Sequence, residues 1–554
     1  MKYIFFISVI GLFYNQHFWA QNTVQWNILS ETQHADVIVE RLFQKFQSDT
    51  IQLKNDTVFQ SKCEKLKENL AELGYFDALL THQKKGSSYT TTVKLNSKIE
   101  TIYIQHPEIQ NYSVPTYATR KDIDLLILPI EKSKDYLNIL TEYFQNTGYP
   151  FVKIKLIHLL KKENQITAQL KIDKGKLQQI DQIIVKGYEQ FPKNFLKYKL
   201  QTTENQVFNK SQIQNLSSLL QSLPFVTEIR KPEILFTKDT TYLYLYLEKE
   251  KSNSIDGIIG FSNAETGNGL RLNGHLDLIL HNAFNKGENL ELKWISDGQK
   301  SQSLQTEIDF PFIFNTPFLF NYSMEMYKRD STFFNIKNQL NLGYLIKQNH
   351  RLGFEWNHHA SRTITTSTNP NLSDFSVSFY GATYAYTLPG NSKLFPFKIT
   401  YNNKFLNGKR EQEKQFIIDS QITYNLGIST RHYISLENQT ALLISKNLLE
   451  NELFRLGGNQ TFRGFPEKSL TAQKYSLMKT GYHYLTSESS YISMMSDWGF
   501  LQNTQTDFIY NFGLGYKMGT GFGDFYIQYF IGKTPQSSFS LNHSFLYVNF
   551  TQRF

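Results

Sequence analysis

The sequence has one cysteine, Cys63, in 554 residues. No internal disulfide can form, and thiolates cannot assemble a zinc cage or an iron–sulfur cluster. Cys63 lies too far from the N-terminal leader to carry a lipid anchor. It reads as a small apolar residue on a helix face rather than a reactive thiol. Long apolar runs are scarce too. In MKYIFFISVIGLFYNQHFWAQN one early lysine precedes the apolar run Ile4–Tyr14, and Ala20 follows. This is the pattern of a secretory signal peptide over residues 1–20, with bulky Phe18 leaving the cleavage point open. Beyond residue 20 no apolar run is long enough for a membrane-spanning helix. Neither G-x-S-x-G nor H-E-x-x-H occurs, no phosphate-binding loop is found, and the adjacent His358 and His359 point to opposite faces of a strand. The expectation is a chain that is not an enzyme and carries no cofactor and no metal.

Aromatic residues are abundant: they make up 15% of the chain, with 33 Tyr and 44 Phe, while only 40% of residues are hydrophobic overall. That combination suits a transmembrane β-barrel, whose strands alternate lipid-facing apolar residues with polar lumen residues. The net charge of +9 is spread rather than clustered, which reads as a solvated surface and argues against nucleic acid as a partner.

The first half repeats itself. LAELGYFDALLTHQKKGSSYTTTVKLNSK (Leu70–Lys98) returns as YFQNTGYPFVKIKLIHLLKKENQITAQLKIDKG (Tyr143–Gly175), and more weakly as LLQSLPFVTEIRKPEILFTKDTTYLYLYLEKE (Leu219–Glu250). Each copy ends an amphipathic helix at Gly or Pro, continues with an aromatic, and then runs into two alternating strands. Gly74 to Gly148 and Tyr149 to Phe225 give a period of about 75 residues. In KSQIQNLSSLLQSL the apolar positions Ile213, Leu216, Leu219, Leu220 and Leu223 recur at helical spacing, and IDQIIVKGYEQFP supplies an opening strand. The expected unit is strand–helix–helix–strand–strand, a small α+β domain with an exposable sheet edge. The expected boundaries are 21–95, 96–175 and 176–251.

From residue 252 to 554 helical periodicity stops, and sixteen short alternating segments follow one another, from IDGIIGFSN to SFLYVNFTQRF. Eight hairpins over residues 252–554 average roughly 38 residues per hairpin, in the range for tilted membrane strands with their turns and loops. In the last segment Leu546, Val548, Phe550 and Phe554 share one face, while Tyr547, Asn549, Thr551 and Arg553 share the other; Gln552 interrupts the apolar face. Closing such a sheet satisfies every backbone group in lipid. The expected fold class is therefore α+β repeats followed by a sixteen-stranded antiparallel transmembrane β-barrel in the outer membrane. The glycine cluster GLGYKMGTGFG, Gly513–Gly523, reads as a hairpin turn of that barrel rather than a phosphate loop.

Between the eleventh and twelfth segments lies the longest connection, about Lys446–Ala472. It holds LFRLGGNQTFRGF, in which Gly457 and Gly458 precede Phe462, Arg463, Gly464 and Phe465. Three repeats, sixteen strands, this sixth-loop motif and a terminal Phe together resemble the BamA/TamA outer-membrane assembly superfamily, with a layout closest to the TamA branch; the repeats look like its POTRA domains. HNAFNKGENLELKW and EIDFPFIFNTPFLF resemble that family's first two periplasmic turns. The resemblance implies that the loop folds into the barrel and that Arg463 pairs with acids on strands twelve and thirteen. Asp497 matches the strand-thirteen position. KTGYHYL puts Thr480, Gly481 or Tyr482 where the strand-twelve glutamate would stand, so docking rests on Asp497 alone or on another acid. A charge in a partly dehydrated lumen needs such a partner.

The implied function is outer-membrane protein insertion or translocation. The repeats would lie in the periplasm and receive unfolded outer-membrane clients along sheet edges, and insertion would use a lateral seam between the first and last strands. Outer-membrane lipid and an inner-membrane or periplasmic accessory protein are the other expected partners. Gly257 and Gly260 lower cohesion on one side of the seam; Val548, Phe550 and Phe554 stand on the other. The alternatives are a two-partner secretion translocator, which usually carries two such repeats and a lumen-plugging helix, and a passive porin, which needs no repeats.

Overall fold

The computed structural model describes residues 26–30, 37–48, 56–85, 88–108, 111–263, 270–296, 301–330, 332–347, 349–364, 371–388, 398–535 and 544–554. The signal-peptide expectation for residues 1–20 lies outside them. The chain divides into two compact units, Met1–Gln178 with Phe208–Lys210, and Gln179–Val207 with Ser211–Phe554.

The first unit opens with strand Trp26–Ser30, helices Val37–Ser48 and Asp56–Glu72, and the hairpin Leu79–Lys85/Ser88–Lys94. The opening strand runs parallel to the last, and the last pairs antiparallel with the middle one. Cys63, Leu66 and Leu70 of the second helix are buried together with Val39, Phe43 and Val93. The Gly–aromatic pair of the sequence repeat is a helix stop. Gly74 (φ 101°) turns left-handed, and the Tyr75 N–H then donates to Leu70 O at 2.9 Å; Gly148 (φ 102°) and the Tyr149 N–H to Phe144 O bond, also 2.9 Å, repeat the device.

The next copy keeps the same core, with Thr101–Gln105 parallel to Gln165–Asp173, which pairs with Lys153–Lys162, and with helix Ser133–Asn146. It departs from the expected pattern at its first helix. There a hairpin, Thr119–Asp122 and Leu125–Pro129, extends the sheet to five strands. Pro107, Pro115 and Pro129 punctuate this segment, and each removes a backbone donor that a helix interior needs.

In the second unit, Gln182–Lys186 runs parallel to Thr241–Lys249, which pairs with Val226–Phe236, and helix Lys210–Gln221 covers the sheet. Leu216, Leu220, Leu243, Leu245 and Leu247 are fully buried in this core. The expected first helix is reduced to one π-helical turn, Phe195–Lys199, between Pro192 and the left-handed Gln201 (φ 53°).

The rest of the unit is a closed barrel of sixteen antiparallel strands from Ser254 to Arg553. Alternation builds it. On strand seven (His350–Thr363), Leu352 and Phe354 face outward about half exposed, while Glu355, Asn357 and His359 are buried on the inner side. An apolar outer wall around a polar lumen is the architecture of a membrane-spanning β-barrel. The glycine cluster differs from the expectation of a turn. Gly513, Gly515 and Gly519 lie within strand fourteen (Thr506–Thr520), and only Gly521 and Phe522 turn the chain into strand fifteen (Gly523–Lys533). Gly513 is needed for space: a Cβ there would stand 2.3 Å from the ring of buried Phe530.

Candidate functional site

Strand eleven (His432–Ile444) and strand twelve (Lys474–Leu485) are joined by loop six. It contains a 3-10 turn, Glu450–Glu452, and a short hairpin, Phe454–Leu456 with Leu470–Ala472. Beyond the hairpin the chain tightens. Gly457 (φ 109°) and Gly458 (φ 88°) are left-handed, the Gly458 N–H donates to Phe465 O at 3.0 Å, and Thr461 Oγ1 donates to Gly457 O at 2.6 Å. Phe462, fully buried, and Phe465 pack with Leu456, Tyr475, Leu477, Leu501 and Ile509. The aromatics thus fasten the tip to the inner wall by apolar burial, and the residue that follows Phe462 is presented to the lumen.

That residue is Arg463. Its Nε donates to Oδ2 of Asp497 on strand thirteen (Tyr491–Gln502) at 2.9 Å, its Nη2 donates to Oδ1, and its backbone N–H donates to Oδ2 at 3.3 Å. The guanidinium is therefore held side-on by a carboxylate with no solvent exposure, the bidentate geometry in which arginine is strongest. Met495 Sδ accepts from Nη1 at 2.9 Å, and the Phe530 ring lies 4.6 Å below the guanidinium carbon. Asn511 of strand fourteen closes the network, donating from Nδ2 to Arg463 O (2.6 Å) and Asp497 Oδ2 (2.9 Å). Gly464 (φ 78°) receives a contact from strand sixteen (Ser544–Arg553): its N–H donates to the Tyr547 hydroxyl at 3.3 Å. The tip therefore bridges strands thirteen to sixteen.

Strand twelve brings a cation to the site. Lys479 stands opposite Asp497, pairs with Glu437 of strand eleven at 3.2 Å, and donates to Gln460 O of the loop at 2.8 Å. The loop's root is pinned separately, by residues the sequence reading did not single out. Glu452 takes Arg410 and, at 2.9 Å, Gln415; Glu450 takes Arg329 at 2.7 Å; Lys468 reaches Glu325 at 2.6 Å. The partners lie 37 to 143 positions apart, so no local spacing marks them. The only hint is that Glu450 and Glu452 sit in a loop of a barrel whose inward positions carry cations.

The seam is the second feature. Strand one (Ser254–Asn263) meets strand sixteen through Ser254↔Arg553, Ile255↔Gln552 and Asp256↔Thr551, three pairs among the described residues. Strands one and two (Leu270–His281) share ten pairs, and strands fifteen and sixteen share eight. Gly257 and Gly260 pair with Leu276 and Asn273 of strand two, while Val548 and Phe550 pair with Ile527 and Phe525 of strand fifteen. The four residues thus line the two sides of the unpaired stretch without meeting across it. Phe554 lies past the strand end, where its N–H donates to Asn253 O at 3.0 Å. Inside the seam Asp256 accepts from Thr551 Oγ1 at 3.2 Å and contacts His275 Nε2 at 2.9 Å. A cavity of about 630 Å³ opens between this latch and the loop tip, lined by Asp256, Arg463, Lys479, Asp524 and Arg553 among others.

The chain is similar to BamA and CdiB. CdiB from Escherichia coli is 12% identical over 96% of this chain and 90% of its own, with a TM-score of 0.48. CdiB from Acinetobacter baumannii is 14% identical over 77% and 82%, with a TM-score of 0.49. BamA from Haemophilus ducreyi lacking POTRA domains 1–3 is 12% identical over 76% and 93%, with a TM-score of 0.40. No protein-family model and no curated protein matches the chain.

Proposed function

We propose that the chain is an outer-membrane insertion factor that passes client polypeptides into the membrane at the seam between strands one and sixteen. The observation that carries this reading is the three-pair seam in an otherwise continuously paired barrel. Alternate residues along the unpaired edges leave a backbone donor and acceptor that an incoming strand can satisfy, so the seam is the place where a client edge gains most. The reaction needs no catalytic residue, cofactor or metal: client folding supplies the free energy. Arg463, Asp497 and loop six hold the wall of strands thirteen to sixteen in shape, so that only one side of the seam yields.

The three α+β modules are read as POTRA-like domains in the periplasm, spanning about residues 21–95, 96–175 and 176–251, with the barrel following from 252. Three modules before a barrel support a TamA-like layout over a two-partner secretion translocator, the arrangement that usually has two. Depleting the protein and quantifying the outer-membrane proteome tests the reading. Selective loss of integral β-barrel proteins is expected; an unchanged barrel population with altered small-solute permeability would instead identify a porin.

A further inference from the structure

The lumen holds a second arginine presented in the same way as Arg463. Arg455, in the loop-six hairpin, stacks its guanidinium 4.8 Å from the ring of Phe333 and 5.6 Å from that of Tyr327. Its Nε and Nη2 are both buried, and neither has a hydrogen-bond acceptor among the described residues. These two nitrogens form the side-on edge of the guanidinium, the edge with which Arg463 grips both oxygens of Asp497. Buried donors without an acceptor are costly, and a bound ion is one of the few ways to relieve that cost.

Arg455 lines a cavity of about 120 Å³ shared with Lys337, Lys468 and Glu325. That volume is several times the ~10–15 Å³ a cavity needs to hold one water, enough for a small tetrahedral ion. Among those lining residues three cations face one carboxylate, and Glu325 is already taken by Lys468 at 2.6 Å. Lys337 stands directly opposite Glu325 across strands five (Phe318–Arg329) and six (Phe333–Lys347). Arg455 and Lys468 belong to the loop, whereas Lys337 belongs to the wall.

We infer that this cavity binds a small tetrahedral oxyanion of the phosphate or sulfate class, held side-on by Arg455 and flanked by Lys337 and Lys468. The ion ties the root of loop six to strand six, complementing the tie between its tip and Asp497. The site stands independently of whether clients pass the seam.

The test uses the full-length protein purified in detergent, with phosphate titrated at constant ionic strength against a chloride control while thermal unfolding is followed. The native protein should show a saturable rise in its unfolding midpoint. Arg455→Met, which keeps the apolar stem but removes the fork, should bind roughly tenfold or more weakly. Lys337→Met provides a second variant should the first fail to fold, and phosphorus NMR line broadening of added phosphate reads binding to the native protein directly. No saturable response in the native protein, or equal responses in native and variant proteins, overturns the site.

Discussion

At the residue scale, loop six depends on one carboxylate that has no solvent exposure. Asp497 receives three donors from Arg463 and one from Asn511, so removing either member of the pair strands a charge in the lumen. Arg463→Ala is expected to cost on the order of 3 kcal/mol and to expose residues 457–465 to protease while leaving the barrel folded. Unchanged cleavage kinetics would show that the aromatics alone hold the tip. Cys63 gives an independent check on the first module. Burial pushes its thiol up from an ordinary value of 9.0 to about 11. The folded state therefore keeps the proton longer than the unfolded state does, and this group's contribution to stability is complete below pH 9 and lost as pH rises from there. Alkylation of this single cysteine at pH 8 should be slow in the native protein and fast in denaturant; equal rates would place the thiol at the surface.

At the scale of elements, what the sequence made readable follows from periodicity. Alternation marked all sixteen strands because lipid and lumen impose opposite demands on successive residues. The Gly–aromatic repeats marked helix ends because a left-handed residue is required there. The hairpin that replaces a helix before Ser133 is not legible in the sequence, because a repeat argues for identity between copies and its prolines speak only locally. Arg463 was found through its motif, whereas Arg410–Glu452 and Lys468–Glu325 join residues with no common pattern. The docking of the third α+β module on the barrel was also out of reach. Phe312, in the turn between strand four (Gln302–Phe310) and strand five, is buried in that module's core, 5.1 Å from the ring of Phe195. Asn282, in the turn after strand two, donates to the Tyr188 hydroxyl at 2.6 Å. Both turns serve as sockets rather than simple reversals. Phe312→Ala should release the module at a cost of about 3 kcal/mol, read as faster proteolysis between residues 249 and 254; unchanged proteolysis would show that the polar contacts suffice.

At the scale of the whole molecule, ladders of eight or more pairs join neighbouring barrel strands among the described residues except at one seam, and that seam is latched from inside by Asp256. Asp256→Ala removes the acceptor for Thr551 and is expected to raise the barrel's ion conductance in planar bilayers by increasing seam opening, while a conductance equal to that of the native protein would make the latch dispensable. Clients are proposed to enter through this seam, and its register fixes where to lock it. Cysteines at Ile255 and Gln552, which face each other directly, are introduced on a Cys63→Ala background, and insertion of an unfolded β-barrel client into proteoliposomes is measured before and after reduction. The oxidised pair should abolish insertion and reductant should restore it; full insertion through a quantitatively cross-linked seam would show that clients do not pass that way.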